Sequence, residues 1–321
     1  MDLAQIIAEE IRADGPMPFR RFMELALYHP RLGYYVGKRD PFGTGGDFYT
    51  NAQLQPVFGR LLAQQIGRWR QELGPPENFS VMELGPGRGE IGMQVRECTP
   101  DIDWIGVDYG EPWPQQPVCG VVLCNEFFDA LPVDSVERTS EGWLRRGVGL
   151  KGGDFCWRTV GPTHADPSWP DIEPGRRIES CDGQVAALRR ISDSLECGWI
   201  LVIDYGYTRS EIERGGRFFD GSIMGYSRHR ADPDVLLEPG CRDITAHVNF
   251  SALEDAARGA GLEVTPVRSQ QSYLLSLGEP DGFAFALAAD SERRAAQLRM
   301  QLKTLLFGLG ETFRVLVLRK Q

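Results

Sequence analysis

The sequence predicts an α/β protein: a Rossmann-like parallel sheet with an N-terminal helical cap and an inserted β-rich and lid lobe. Three observations lead there. Phe79 to Gly92, FSVMELGPGRGEIG, reads as a buried strand, a tight glycine turn and the start of a helix. Two more apolar runs, Val118 to Cys124 and Trp199 to Ile203, end in polar residues, as strands do at the ligand-binding edge of such a sheet. Between them, short strands separated by glycines interrupt the alternation of strand and helix, which marks an insertion.

The glycine turn carries the most chemistry. Gly85, Gly87 and Gly89 occupy every second position. Glycine serves where backbone takes positive φ or a ligand approaches closely. The N–H groups at the following helix start favour a carboxylate or phosphate. A dinucleotide fingerprint needs a small residue where Glu90 stands, so a dehydrogenase is the weaker reading. A structural loop closing a βα unit is the remaining alternative at this stage.

The chain of 321 residues can bury a full core, and its hydrophobic fraction of 42% is ordinary for a soluble globular protein. A formal net charge of −10 disfavours a nucleic-acid partner held by a basic surface. No apolar run approaches a membrane span, and the acidic start with Asp2, Glu9 and Glu10 is a poor transit peptide. The seven cysteines show no C-x-x-C spacing; they read as reduced thiols without structural zinc, in a cytoplasmic protein.

In chain order, Leu3, Ile6, Ile7 and Ile11 line one helical face, and Phe19 to Tyr28 offers a second helix. A loop rich in glycine and aromatics runs to Asn51, and Gln53 to Glu72 returns to helix. These form the cap and a cofactor-covering loop, residues 1–75. The first part of the sheet spans 76–133, with strands at Phe79, at Trp104 to Val107 and at Val118 to Cys124. Asp108 follows the second strand roughly 20 residues after the turn, where an acid meets ribose hydroxyls.

The link from Tyr109 to Pro117 is short and contains three prolines. Nine extended residues reach roughly 30 Å. Running back along a strand of about 17 Å and across two lateral steps of about 10 Å consumes nearly all of it. The usual helix B, strand 3 and helix C are therefore expected to be absent. Residues 134–178 read as an antiparallel meander with strands near Val136, Leu144 to Val148 and Phe155 to Val160. Residues 179–321 complete the core: a helix over Ser180 to Glu196, the Trp199 to Ile203 strand and a lid at about 207–245. A helix over Phe250 to Gly259, a strand over Leu262 to Val267, a helix over Gly282 to Phe307 and a strand over Thr312 to Leu318 follow.

Several stretches then match one family in order: DPFGTGGDFYT at 40–50, ELGPGRG at 83–89, NEFFDALPV at 125–133, IDYG at 203–206, PGCRDITAHVNF at 239–250 and SQQSYLLSLG at 269–278. On these the chain resembles the MidA-like class I methyltransferases, which use S-adenosyl-L-methionine (SAM). That family includes a mitochondrial complex I assembly factor that methylates an arginine of its protein substrate. The resemblance implies that Glu83, Gly85, Gly87 and Gly89 form the cofactor turn and that Asp108 holds the ribose. It also implies that Asp47, Phe48 and Thr50, with Gly46, close over the cofactor. Asn125, Glu126 and Asp129 match the edge beside the transferred methyl, and His247 matches the histidine of TAH.

Methyl transfer is an in-line displacement, so alignment and desolvation dominate. Glu126, Asp129 and Asp204 are candidates to hold a guanidinium by paired carboxylates, with His247 as a further catalytic candidate. Structural readings compete for each: a helix cap for Asp129, a strand-end turn for Asp204 and a satisfied structural histidine for His247. The expected acceptor is a protein arginine, with a small-molecule O- or N-acceptor as the alternative. An assembly protein of low activity is the reading from another class, and a homodimer is compatible with either.

Overall fold

At the centre of the fold the strands run in the order Glu263–Val264, Phe313–Lys320, Leu195–Tyr207, Val118–Asn125, Phe79–Leu84 and Asp103–Val107. The last four are mutually parallel, and Phe313–Lys320 is antiparallel to its neighbour. This is the structure as a computed structural model, which describes residues 2–36, 56–74, 78–214, 218–227, 230–310 and 312–321. The chain forms two compact units: Met1–Tyr49, Asp129–Ala186 and Tyr207–Ala252 make the first, and Thr50–Phe128, Ala187–Gly206 and Leu253–Gln321 the second.

The second unit holds the parallel sheet. Phe79–Leu84 is buried along its whole length, as expected for a strand covered on both faces. The helix Pro56–Glu72 packs Val57, Phe58, Leu61, Leu62, Ile66 and Trp69 onto the sheet, with Trp69 stacked on Trp199 at 5.2 Å. After Phe79–Leu84 the chain moves outward to Asp103–Val107 and then returns past it to Val118–Asn125. The direction of winding reverses there, and in open α/β sheets ligands bind at that crevice.

The link 108–117 contains neither helix nor strand, as the length argument requires, and Asp103–Val107 is left at the sheet margin. Trp113 in this link is covered by the Arg190 guanidinium, 4.1 Å from the ring centroid.

In the first unit, the helix Leu3–Asp14 begins with a reciprocal cap. Asp2 accepts from the Gln5 N–H at 2.8 Å, and the Gln5 side chain accepts from the Asp2 N–H at 3.0 Å. This helix and Phe19–Tyr28 bury their apolar faces against the meander, where Phe19 stacks on Trp157 at 4.9 Å and Phe22 meets Phe155 edge-on at 5.7 Å. The meander strands are Asp134–Thr139, Gly142–Lys151 and Asp154–Thr163. Two short strands extend it beyond the sequence reading: Met17–Pro18 pairs with Gly142–Lys151, and Arg177–Ser180 with Asp134–Thr139. Part of the stretch expected to be an irregular lid forms a small antiparallel sheet of Met224–Ser227, Arg230–Asp232 and Asp243–Thr245.

Three expectations are corrected. The largely helical stretch expected over Gly282 to Phe307 begins as a helix only at Glu292, because Gly282 turns left-handed (φ 61°) and Ser291 caps a fresh start, and past Thr304 it continues as a π-helical turn over Leu305–Leu309. The strand expected over Leu262 to Val267 is the two-residue Glu263–Val264. Not all cysteines are free thiols: Cys119 and Cys197 face one another in register on adjacent strands, their Cα atoms 4.8 Å apart, and form a disulfide. They are 78 residues apart in sequence, so their pairing arises from sheet register and leaves no motif.

Titrating the denatured, unreduced protein should therefore reveal five thiols, rising to seven after reduction. Closing so long a loop stabilises a fold by about 2–4 kcal/mol, and Cys119→Ser should lose stability on that order. Seven thiols before reduction would remove the bridge.

Candidate active site

The turn after Phe79–Leu84 is built as its glycines require. Gly85, Gly87 and Gly89 adopt φ of 66°, 54° and 73°, all left-handed, a region costly for other residues. The Gly85 N–H donates to the Val107 carbonyl at 3.0 Å, tying the turn to the end of the next strand. A side chain at Gly85 would also press on the Phe127 ring, 3.2 Å from an added Cβ. At Gly89, the N-cap of helix Glu90–Cys98, an added Cβ would enter open space. The helix start is therefore accessible, with its N–H groups available to an anion.

Glu83 lies 3% exposed under this helix and accepts from the Trp104 indole N–H at 2.9 Å. Gly92 makes that contact possible, since a Cβ there would fall 2.6 Å from Trp104 Nε1. Burial pushes the Glu83 carboxyl up to about 7; the Trp104 bond opposes this, Glu90 reinforces it and Arg96 opposes it. Asp108 sits exposed at the end of Asp103–Val107, where its Oδ1 accepts from the Tyr109 N–H at 2.8 Å and its own N–H donates to Glu111 at 2.9 Å.

The end of Val118–Asn125 carries the second group. Glu126 has a left-handed backbone (φ 52°) and donates its N–H to the Ile203 carbonyl at 2.9 Å. A non-glycine residue held there by its surroundings is a recurrent mark of functional sites. Asn125 donates through Nδ2 to Glu126 Oε1 at 3.2 Å, while its Oδ1 is buried without a hydrogen-bond partner among the described residues.

Asp204 does not turn toward an acceptor. It is fully buried, its Oδ2 accepting from the N–H groups of Phe127 at 3.2 Å and Phe128 at 2.8 Å, and its Oδ1 from Tyr205 N–H at 2.8 Å. These bonds correspond to the strand-end turn considered for Asp204 beside its catalytic role. No helix follows Asn125, so the strand-to-helix turn and helix cap considered for Asp129 are corrected. Pro132 lies close ahead, and Asp204 already satisfies the freed N–H groups.

Asp129 and His247 belong to the first unit. Asp129 is buried and its carbonyl accepts from the Ala246 N–H at 2.9 Å. Asp243, which the sequence reading did not single out, accepts from the Tyr35 hydroxyl at 2.8 Å. Burial pushes the Tyr35 phenol well up, reinforced by Asp243 and Asp129, and burial with the same two acids raises Tyr226. This acid–tyrosine cluster was legible only as part of the RDITAH stretch. The His247 N–H donates to Ser222 Oγ at 2.9 Å, and its ring lies 4.7 Å from that of Phe218. Ser222 is in turn held by buried Glu179, to which its N–H and hydroxyl both donate at 2.8 Å. Asp47, Phe48 and Thr50 lie outside the described residues. Among the described residues, no cluster of His, Cys, Asp and Glu is arranged to hold a metal ion, and no helix is long and apolar enough to cross a membrane.

Comparison with known proteins shows the family and the fold. The family described as putative S-adenosyl-L-methionine-dependent methyltransferase matches residues 96–267, more than half of the chain. The zebrafish (Danio rerio) protein arginine methyltransferase NDUFAF7, mitochondrial, is 26% identical, covering 91% of this chain and 80% of the relative. The Homo sapiens protein of the same name is 26% identical over 95% of this chain and 80% of its own. Among solved structures, a Burkholderia thailandensis protein with S-adenosylhomocysteine bound superposes with a TM-score of 0.89 at 29% identity, covering 99% of this chain and 92% of that one. The MidA-like resemblance and the Rossmann-like fold are thereby established. The cytoplasmic location is overturned: these relatives are named as mitochondrial proteins. One of its grounds, a full set of reduced thiols, also fails with the Cys119–Cys197 bridge.

Replacing Asp204 by Asn should cost about 2–4 kcal/mol in urea denaturation, because three backbone N–H groups lose a charged acceptor. A loss under 0.5 kcal/mol would contradict the clamp. For Glu83, a folded value near 7 against 4.5 unfolded means the native state holds the proton more tightly. Stability is then greatest below about pH 4.5 and falls by about 3 kcal/mol as pH rises to 7. Glu83→Gln should flatten that slope between pH 5 and 7.5; parallel wild-type and variant curves would reassign it.

Proposed function

The chain belongs to the family of putative S-adenosyl-L-methionine-dependent methyltransferases, and on that premise we propose that it methylates a guanidinium nitrogen of an arginine in a protein. The single observation that carries the reading is the pairing of a left-handed glycine turn with a left-handed Glu126 at the end of the adjacent strand. The relatives named as protein arginine methyltransferases support the choice of acceptor.

The residues present fit the cofactor. The accessible helix start and the bare turn suit the carboxylate of its amino-acid end, and the orphaned buried Asn125 Oδ1 suits a donor from a ligand. When bound, the cofactor would supply an electrophilic S-methyl group for transfer to nitrogen, with S-adenosylhomocysteine as the leaving group. Gly87 binds through its backbone amide, Gly85 and Gly89 shape the turn with their own N–H groups spent on the Val107 and Pro86 carbonyls, Glu83 serves the amino-acid end, and Asp108 takes the ribose hydroxyls. Asp47, Phe48 and Thr50 retain the covering role that the family resemblance assigns.

Glu126 orients the acceptor. A carboxylate pairs with a guanidinium through two parallel N–H···O bonds and fixes its plane, so one nitrogen lone pair is aimed along the transfer line. It also neutralises the guanidinium charge and accepts the proton that the acceptor nitrogen sheds as the methyl group arrives. Asp204 acts through Glu126 by holding the turn. Asp129 contributes negative charge in its own unit with Asp243, and His247 is a structural residue on the Glu179–Ser222 pair.

Two substitutions separate the roles. Gly87→Val should abolish SAM binding measured by calorimetry while leaving thermal unfolding cooperative, since the left-handed φ of 54° is closed to a β-branched residue. Glu126→Gln should cut turnover on an arginine peptide on the order of a hundredfold with SAM affinity little changed. Equal losses in turnover and SAM affinity would move Glu126 to the cofactor. Transfer of labelled methyl to small molecules but to no arginine peptide would sink the acceptor assignment.

A further inference from the structure

The inserted meander has a cleft of its own, lying wholly within the first unit. A cavity of about 210 Å³ is lined by Asp134, Arg145, Asp166, Trp169 and Asp182 among others. It continues into a groove of about 340 Å³ that shares Asp166 and Trp169 and adds Trp143 and Asp171. Nothing in the methyl-transfer reading uses any of these side chains.

Its floor carries unmet polar groups. Asp134 is only 8% exposed, yet its Oδ1 has no hydrogen-bond partner among the described residues. Its Oδ2 stands 3.6 Å from Arg145 Nε, beyond hydrogen-bond reach. Burial raises the Asp134 carboxyl despite the opposing pull of Arg145 and Arg20, and Asp182 adds to the rise. The Trp169 indole N–H is likewise buried without an acceptor, its ring fixed edge-on against Trp143 at 4.8 Å. Leaving a buried polar group unsatisfied is costly, and an apolar residue on the meander would avoid it.

The surroundings select the ligand. Asp134, Asp166, Asp171 and Asp182 face the cleft against Arg138, Arg145 and His164, and Arg138 is already seated over the Trp143 ring at 5.7 Å. Asp166 is held in place, one oxygen accepting from the Ser168 N–H at 2.7 Å. An anion would meet an excess of carboxylates, and an apolar ligand would leave both Asp134 and Trp169 unmet. A peptide with a basic side chain satisfies both: its cationic N–H groups reach Asp134, and a main-chain carbonyl accepts from the indole.

We propose that the cleft between Asp134 and Trp169 is a docking site for a basic side chain of an extended peptide, separate from the methyl-transfer site. As a contact for the protein substrate this rests on the function proposed above; as a binding site it stands alone. The test is calorimetry and tryptophan fluorescence on the full chain without cofactor. The probe is acetyl-Gly-Arg-Gly-amide, with its neutral citrulline isostere as control and the lysine peptide as a second cation.

Both cationic peptides should bind, the citrulline peptide at least tenfold more weakly. Asp134→Asn should weaken arginine-peptide binding at least tenfold, and Gly87→Val should leave it unchanged. Equal affinity for citrulline, wild-type affinity in Asp134→Asn, or no saturation at millimolar peptide would each overturn the site. If Asp134→Asn fails to fold, Trp169→Phe decides: it keeps the wall and removes the N–H, and unchanged affinity there overturns the proposal. In the wild-type chain, peptide binding without methyl transfer from SAM to any arginine peptide keeps this site while the transfer reading falls, and transfer without such binding does the reverse; Gly87→Val, which removes the cofactor, should lose transfer alone.

Discussion

The arrangement of the site depends on one carboxylate. Asp204, fully buried at the upper end of Leu195–Tyr207, gathers the N–H groups of Phe127, Phe128 and Tyr205. In a sheet where a helix followed the neighbouring strand, that helix would take up the backbone groups at its start; here the chain turns without one, and a charge takes its place. With those donors fixed, Glu126 is held in a left-handed backbone that it would not adopt alone. Phe127 then lies against Gly85, so the acceptor-side turn forms a wall of the glycine turn. A change at Asp204 would reach both.

Much of this was legible in the sequence because backbone demands leave residue signatures. Gly85, Gly87 and Gly89 announce positive φ, and all three have it. The length of Tyr109 to Pro117 limits what the chain can build there, and it builds neither helix nor strand. Groups whose meaning lies in register or in side-chain reach were hidden. Cys119 and Cys197 pair only because two strands align. Gly92 is informative only once Trp104 is seen above it. Asp204 ends a strand in either reading, and only the positions of the Phe127 and Phe128 amides decide between them. Glu126 was singled out for its charge; its backbone conformation was not readable, since no residue type at that position signals it.

The buried acids divide by what surrounds them. Both Glu179 oxygens accept from Ser222, and burial raises the carboxyl against these and further backbone hydrogen bonds, its own and that of Ile223, so it serves packing. Glu83 has one neutral donor, Trp104, and a crowded apolar setting, which leaves it sensitive to any positive charge brought to the cofactor turn. Among the described residues, one oxygen of Asp134 has no hydrogen-bond partner. A buried carboxyl is thus fully engaged in one place and only partly engaged in the others. The number of donors in reach, more than depth of burial, makes the difference.

The short passage from Asp108 to Pro117 also determines how the sheet ends. With no further strand beyond it among the described residues, Asp103–Val107 stands at the margin of the sheet, the kind of edge on which foreign strands can assemble. The edge is five residues long, begins at exposed Asp103 beside exposed Asp101, and gives way to a proline-rich segment that lacks N–H donors at Pro112, Pro114 and Pro117. Charge, brevity and missing donors together blunt self-association, so trimming the sheet does not leave it sticky.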